Sequence, residues 1–112
     1  MLADYIVPGV VIAFVGWRIV SSLRVRRRLP ALIKEGAQLV DVRSEGEFAG
    51  GHAPGTTNIP LHELEARAAE LDPQRWVVVC CASGTRSAVA RRRLRGLGFE
   101  RVLNAGSWRT LG

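Results

Sequence analysis

Residues 5–23 read YIVPGVVIAFVGWRIVSSL, a run of nineteen in which Arg18 is the only charge. No other stretch limits the chain so strongly. As a helix the run would be roughly 28 Å long, enough to reach across a hydrocarbon core. Arg18 stands near one end, where its stem can snorkel to the headgroups. Arg24, Arg26, Arg27 and Arg28 follow at once. A cleaved leader carries its positive charge ahead of the apolar run, so the reversed order here reads as an uncleaved anchor. The positive-inside rule then places the Arg cluster, and everything after it, in the cytoplasm. An interfacial helix would need a polar face, which residues 5–17 lack. A buried core helix is the competing reading, because Pro8, Gly9 and Gly16 weaken the run. The expected organisation is a single-pass anchor with a juxtamembrane Arg cluster over residues 1–28, and one small domain over 29–112.

Charge supports that division. The formal net charge is +6, and residues 1–28 supply +4 of it, five Arg against Asp4. The remaining 84 residues carry eleven Lys or Arg against nine Asp or Glu, or +2. A nucleic-acid binder would spread positive charge over a face of its fold, so that class is disfavoured. With 47% hydrophobic residues the chain is also not a disordered one. Its two cysteines are adjacent, which rules out a disulfide-stapled scaffold.

Beyond Arg28 the elements alternate. Residues 29–36 read as a short helix with Pro30 in its first turn and Gly36 just past its end. Residues 38–42 form a strand, and 57–59 a brief extended stretch inside a turn-rich segment. Leu61, Leu64, Ala68 and Leu71 mark one face of a helix that Asp72-Pro73 stops, with Glu63 and Arg67 paired four apart. Residues 76–80 are continuously apolar, the pattern of a strand covered on both faces. A loop over 81–86 leads into a helix over about 87–97, which Gly98 can end, and 101–103 form a last strand. Strands alternating with helices at these spacings predict a parallel sheet built from βαβ units. In such folds the chemistry sits at the carboxyl ends of the strands, and Cys81 lies at the end of the most apolar one.

The stretch Cys81-Ala82-Ser83-Gly84-Thr85-Arg86-Ser87 must turn from a strand end directly into a helix N-terminus. Successive N–H groups in such a turn can converge on an anion, and the helix dipole adds positive potential there. Gly84 permits the dihedrals, and Arg86 adds a cation. A thiol in this setting ionises readily without a His base. Cys80, pointing to the opposite face of the strand, is expected to be structural, facing the core while Cys81 looks into the loop. Asp41 and Arg43, at the same sheet edge, are expected to support the loop or pair with each other. Glu47 is expected to pair with Arg86 or cap a turn. His52 reads as locally hydrogen-bonded, His62 as exposed, Trp76 and Trp108 as core aromatics, and Arg91, Arg92, Arg93 and Arg95 as a solvated helix face. No residue pattern suggests a metal site.

Residues 39–64 and 77–108 together resemble the two halves of a rhodanese-homology domain. The resemblance is carried by Asp41-Val42-Arg43, Glu47-Phe48, Gly51-His52, Asn58-Ile59-Pro60, the Cys81 loop, Gly98-Phe99 and Trp108, in order and at matching spacing. It implies a small α/β fold, a parallel sheet flanked by helices, here preceded by one N-terminal transmembrane helix. It implies sulfur transfer through a persulfide on Cys81, held by the N–H groups of Ala82, Ser83, Gly84, Thr85 and Arg86, with no metal or organic cofactor. The six-residue loop from Cys81 to Arg86 matches the sulfur-transferring members, whereas the phosphatase-like relatives have seven. Ala82 stands where Arg is frequent, which leaves the donor open.

These readings converge on a membrane-anchored sulfurtransferase. It would take sulfane sulfur from thiosulfate or a persulfide donor and pass it to cyanide, a small thiol or a protein cysteine. The alternative is a non-catalytic module docking a sulfur-handling partner at the membrane. A dithiol relay through Cys80 would require both cysteines.

Overall fold

The computed structural model describes residues 2–112, with side chains described from Pro8 onward. The side chains of Tyr5, Ile6 and Val7, at the head of the apolar run, lie outside the described residues. Helix α1 spans Leu2–Lys34 without a break, with Pro8 and Pro30 inside it. The two helices expected on either side of residue 28 are thus one. Pro30 has no N–H to give the carbonyl of Arg26. The helix continues past it because Leu29 and Leu32 are buried against the sheet, with Val25 partly so. Each buried Leu contributes about 1.5–3 kcal/mol of hydrophobic stabilisation. Gly36, at φ +88°, ends the helix, and the N–H of Ala37 returns to the carbonyl of Leu32.

Strands β1 (Gln38–Asp41), β2 (Thr57–Asn58), β3 (Val77–Cys81) and β4 (Val102–Ser107) form one parallel sheet in the order β2-β1-β3-β4. Between them lie α2 (Glu45–Ala49), α3 (Leu64–Arg67) and α4 (Thr85–Gly96). The helix expected over 61–71 is only partly α. Short 3-10 turns at Leu61–Glu63 and Ala68–Glu70 flank α3, the tightening common at the ends of short helices. Its Glu63–Arg67 pair is present at 3.7 Å.

The alternation of β3 builds two cores. Val77, Val79 and Cys81 pack with Leu64, Ala90, Leu94 and Phe99 on the α3–α4 side. Val78 and Cys80 pack with Leu29, Leu32, Leu103 and Ala105 on the α1 side. Trp76 and Trp108 pack against the α1-side core, as expected, but are not enclosed by it. Both are half-buried at the margin, with Arg28 over the first ring and Arg43 and Arg109 over the second. The basic face of α4 is also less uniform than expected. Arg91 donates its Nε–H to the carbonyl of Val102, and Arg93 lies 3.5 Å from Glu65.

Candidate active site

The carboxyl end of β3 delivers Cys81 to the start of α4. Gly84 makes the turn at φ +107°, and its Cα side lies so close to β4 that an added Cβ would meet Gly106 Cα at 3.2 Å. Gly106 comes that near because the β3–β4 register shifts between Val79 and Cys80, leaving Ala105 as an extra residue in β4. Both glycines take a positive φ here, Gly106 at +78°, and Gly84 is needed for space as well.

Both cysteines are buried, Cys80 at 0% and Cys81 at 1% exposure. Cys81 therefore sits beneath the loop rather than in it. The two thiols differ in what they meet. Burial, reinforced by the carboxylate of Asp41, pushes the Cys80 thiol up to about 12. Burial also pushes Cys81 up, but hydrogen bonds to its sulfur outweigh it, and its pKa is lowered. Those donors are the hydroxyl of Ser87, at 3.3 Å, and the N–H groups of Ser87, Gly84 and Ser83, with Gly84 N at 2.9 Å. Adjacent residues on one strand thus hold a thiol that resists ionisation and one whose anion is favoured.

Of the loop residues, Gly84 and Ser83 bring their N–H groups to the sulfur, while Ala82, Ser83 and Thr85 expose their side chains. Arg86 turns its guanidinium onto Glu47, making two bonds of 2.7 and 2.9 Å. This ion pair, with the N–H of Ser44, holds the Glu47 carboxyl at about 2. Glu47 does both things expected of it, because it also closes a capping box with Ser44 at the start of α2. Asp41 and Arg43 pair with each other through Nε and Nη2 at 2.8–3.0 Å. Arg43 also donates to the carbonyl of Gly51 and lies over the Trp108 ring. His52 stacks on Phe48 and bonds its carbonyl, and His62 is exposed.

Sequence reading missed two residues here. The sequence marks Ser87 only as a helix start, yet it is fully buried against the sulfur. Asn104 lay beyond the expected end of the last strand, and its side chain contacts both Ser87 and Gly84. The detectable signal was a small hydroxyl in the first turn of a helix whose preceding loop carries a nucleophile.

A groove of about 620 Å³ separates this loop from α1. Trp17, Arg18 and Arg26 line it on the α1 side, and Ser83, Thr85 and Arg92 on the other.

Residues 26–109 match the family model described as rhodanese-like domain. The chain is 40% identical over 70 residues to the putative sulfur carrier protein YrkF of Bacillus subtilis, covering 62% of this chain. It spans only 38% of that relative's length. It is 35% identical over 98 residues to the thiosulfate:glutathione sulfurtransferase of Homo sapiens, covering 72% of this chain and 84% of that one. The solved structure of the human single-domain sulfurtransferase TSTD1 superposes with a TM-score of 0.64 at 34% identity, over 75% of this chain and 88% of that one.

Proposed function

We propose that this chain, which belongs to the rhodanese-like domain family, carries sulfane sulfur as a persulfide on Cys81. The observation that supports this most directly is the contrast between its two thiols, in which only the Cys81 sulfur is held by hydrogen-bond donors that favour its anion. The Cys81 thiolate attacks the outer sulfur of thiosulfate or of a persulfide donor. The donor's S–S bond breaks, and sulfite or a thiolate leaves with the electron pair. An acceptor thiolate or cyanide then attacks the outer sulfur of the Cys81 persulfide, and Cys81 departs as thiolate. Each state of the cysteine is an anion at the N-terminus of α4, where preorganised donors and the helix dipole stabilise it without rearrangement. The loop Ala82–Arg86 frames the sulfur, and Glu47 fixes the Arg86 guanidinium at its rim.

Incubating the full chain with thiosulfate, and separately with a persulfide donor, adds about 32 Da at Cys81, read by intact mass and peptide mapping. Absence of the adduct with both donors in folded protein refutes the carrier role and leaves the docking module.

The same reading places α1 in a membrane. Residues 8–34 form a helix long and apolar enough to cross one. Ile12 is 72% exposed and Trp17 64%, and Val11, Phe14 and Ile19 are exposed with them. So much contiguous apolar surface needs a covering, and the Arg cluster that follows orients the domain to the cytoplasm. The full chain is expected to stay with the membrane fraction after an alkaline carbonate wash. Its release into the supernatant would argue against a span.

A further inference from the structure

The Ser87 hydroxyl has one proton and two acceptors. Its Oγ lies 3.3 Å from the sulfur of Cys81 and 2.6 Å from Oδ1 of Asn104. Ser87 is fully buried, so water does not settle the competition. Asn104 is held in one orientation. Its Oδ1 also accepts the N–H of Gly106 at 2.9 Å, and its Nδ2 donates to the carbonyl of Gly84 at 3.2 Å. That same carbonyl accepts the N–H of Ala88, and the N–H of Gly84 is the donor lying 2.9 Å from the sulfur. One amide on the edge strand β4 therefore touches two of the residues that donate to the sulfur.

We propose that Asn104 is a positioning residue for Cys81, acting through Ser87 and Gly84, and that the Ser87 proton follows the charge on the sulfur. While Cys81 is a thiol, its S–H donates to Ser87 Oγ, and the Ser87 proton lies toward Asn104 Oδ1. When the thiol proton leaves to solvent, the Ser87 O–H turns from Oδ1 to the anionic sulfur, and no bond to hydrogen in Ser87 breaks. Asn104 Oδ1 is not orphaned by the turn, because Gly106 still donates to it. An acceptor with a second donor can release the first at little cost. The thiolate thus gains a charge-assisted bond exactly when it forms. The inference rests on the reading of Cys81 as the sulfur carrier.

The other charged groups around the two cysteines are Arg86 of α4, paired with Glu47 of α2, and Asp41 of β1, paired with Arg43 just past that strand, which the variants leave intact. The test is the rate of Cys81 alkylation by iodoacetamide against pH, on the full chain in detergent, with Cys80 replaced by Ala throughout. Removing a bond to the charged form raises the thiol pKa, so Ser87→Ala moves the midpoint upward and lowers the rate at pH 7 several-fold, while the high-pH plateau does not fall. Ser87→Thr, which keeps the hydroxyl, restores the profile. Asn104→Asp places a carboxylate that retains the Ser87 proton, and it also moves the midpoint upward. That second variant lies on a half-exposed edge-strand residue and so remains testable where Ser87→Ala fails to fold. In the Ser87→Ala background the Asp substitution shifts the midpoint by less. Profiles that superimpose on the parent, or an Asp shift of equal size with and without the Ser87 hydroxyl, overturn the proposal. Failure of sulfur loading with these profiles intact would instead count against the carrier role.

Discussion

Replacing Cys81 with Ser lowers sulfur transfer by at least ~10³-fold, while Cys80→Ala leaves it within about twofold. The hydroxyl of serine does not ionise near neutral pH, so the donors around this position have no anion to stabilise. The Cys80 side chain contacts Leu29, Leu32 and the rest of the α1-side core, and its thiol is pushed to about 12. Its thiol therefore resists ionisation and does not react. Steady-state transfer from thiosulfate to cyanide, with folding checked by circular dichroism, measures both variants. An inactive, folded Cys80→Ala protein would replace the single-carrier mechanism with a dithiol relay.

Asp41→Ala is expected to destabilise the domain by about 3–5 kcal/mol. Asp41 is 0% and Arg43 5% exposed, and the pair closes three side-chain bonds of 2.8–3.0 Å. Truncating the acid strands a guanidinium in the interior with only the Gly51 carbonyl and the Trp108 face for company. Asp41 also accepts the N–H of Arg43, so the exit from β1 loses a backbone partner too. Urea unfolding of the full chain in detergent, followed by tryptophan fluorescence, reads the change. A loss below about 1 kcal/mol would mean that the pair is worth no more than an exposed one.

The parallel sheet was legible because its signals are local. An unbroken apolar run at 76–80 has few other uses, and glycines at 36 and 98 take the positive φ that helix exits require. The placement of Cys81 between a strand end and a helix start was legible for the same reason, since strand, loop and helix follow one another directly. The continuity of α1 was not legible, because Pro30 is a strong local signal and the burial of Leu29 and Leu32 that overrides it is a long-range fact. The role of Trp108 was hidden likewise. A tryptophan reads as core until the Arg43 and Arg109 guanidinium groups are placed on its ring. Asn104 was the hardest to find. It meets Ser87 and Gly84, the neighbours of the sulfur, only across the β3–β4 pairing, beside a register shift that no local pattern announces.

The unbroken course of α1 has a consequence for who can reach the sulfur. On the proposal that its first turns lie in a bilayer, with Leu29 and Leu32 of its last turns buried in the domain, the helix would act as a keyed shaft rather than a tether. Each residue between span and core adds about 1.5 Å of height and about 100° of rotation. The compass bearing and elevation of the Cys81 loop above the lipid are then counted out in amino acids. A soluble donor can approach such a loop from any open side. A partner confined to the same bilayer meets it only by drifting sideways, and only if its own sulfur rides at the matching level.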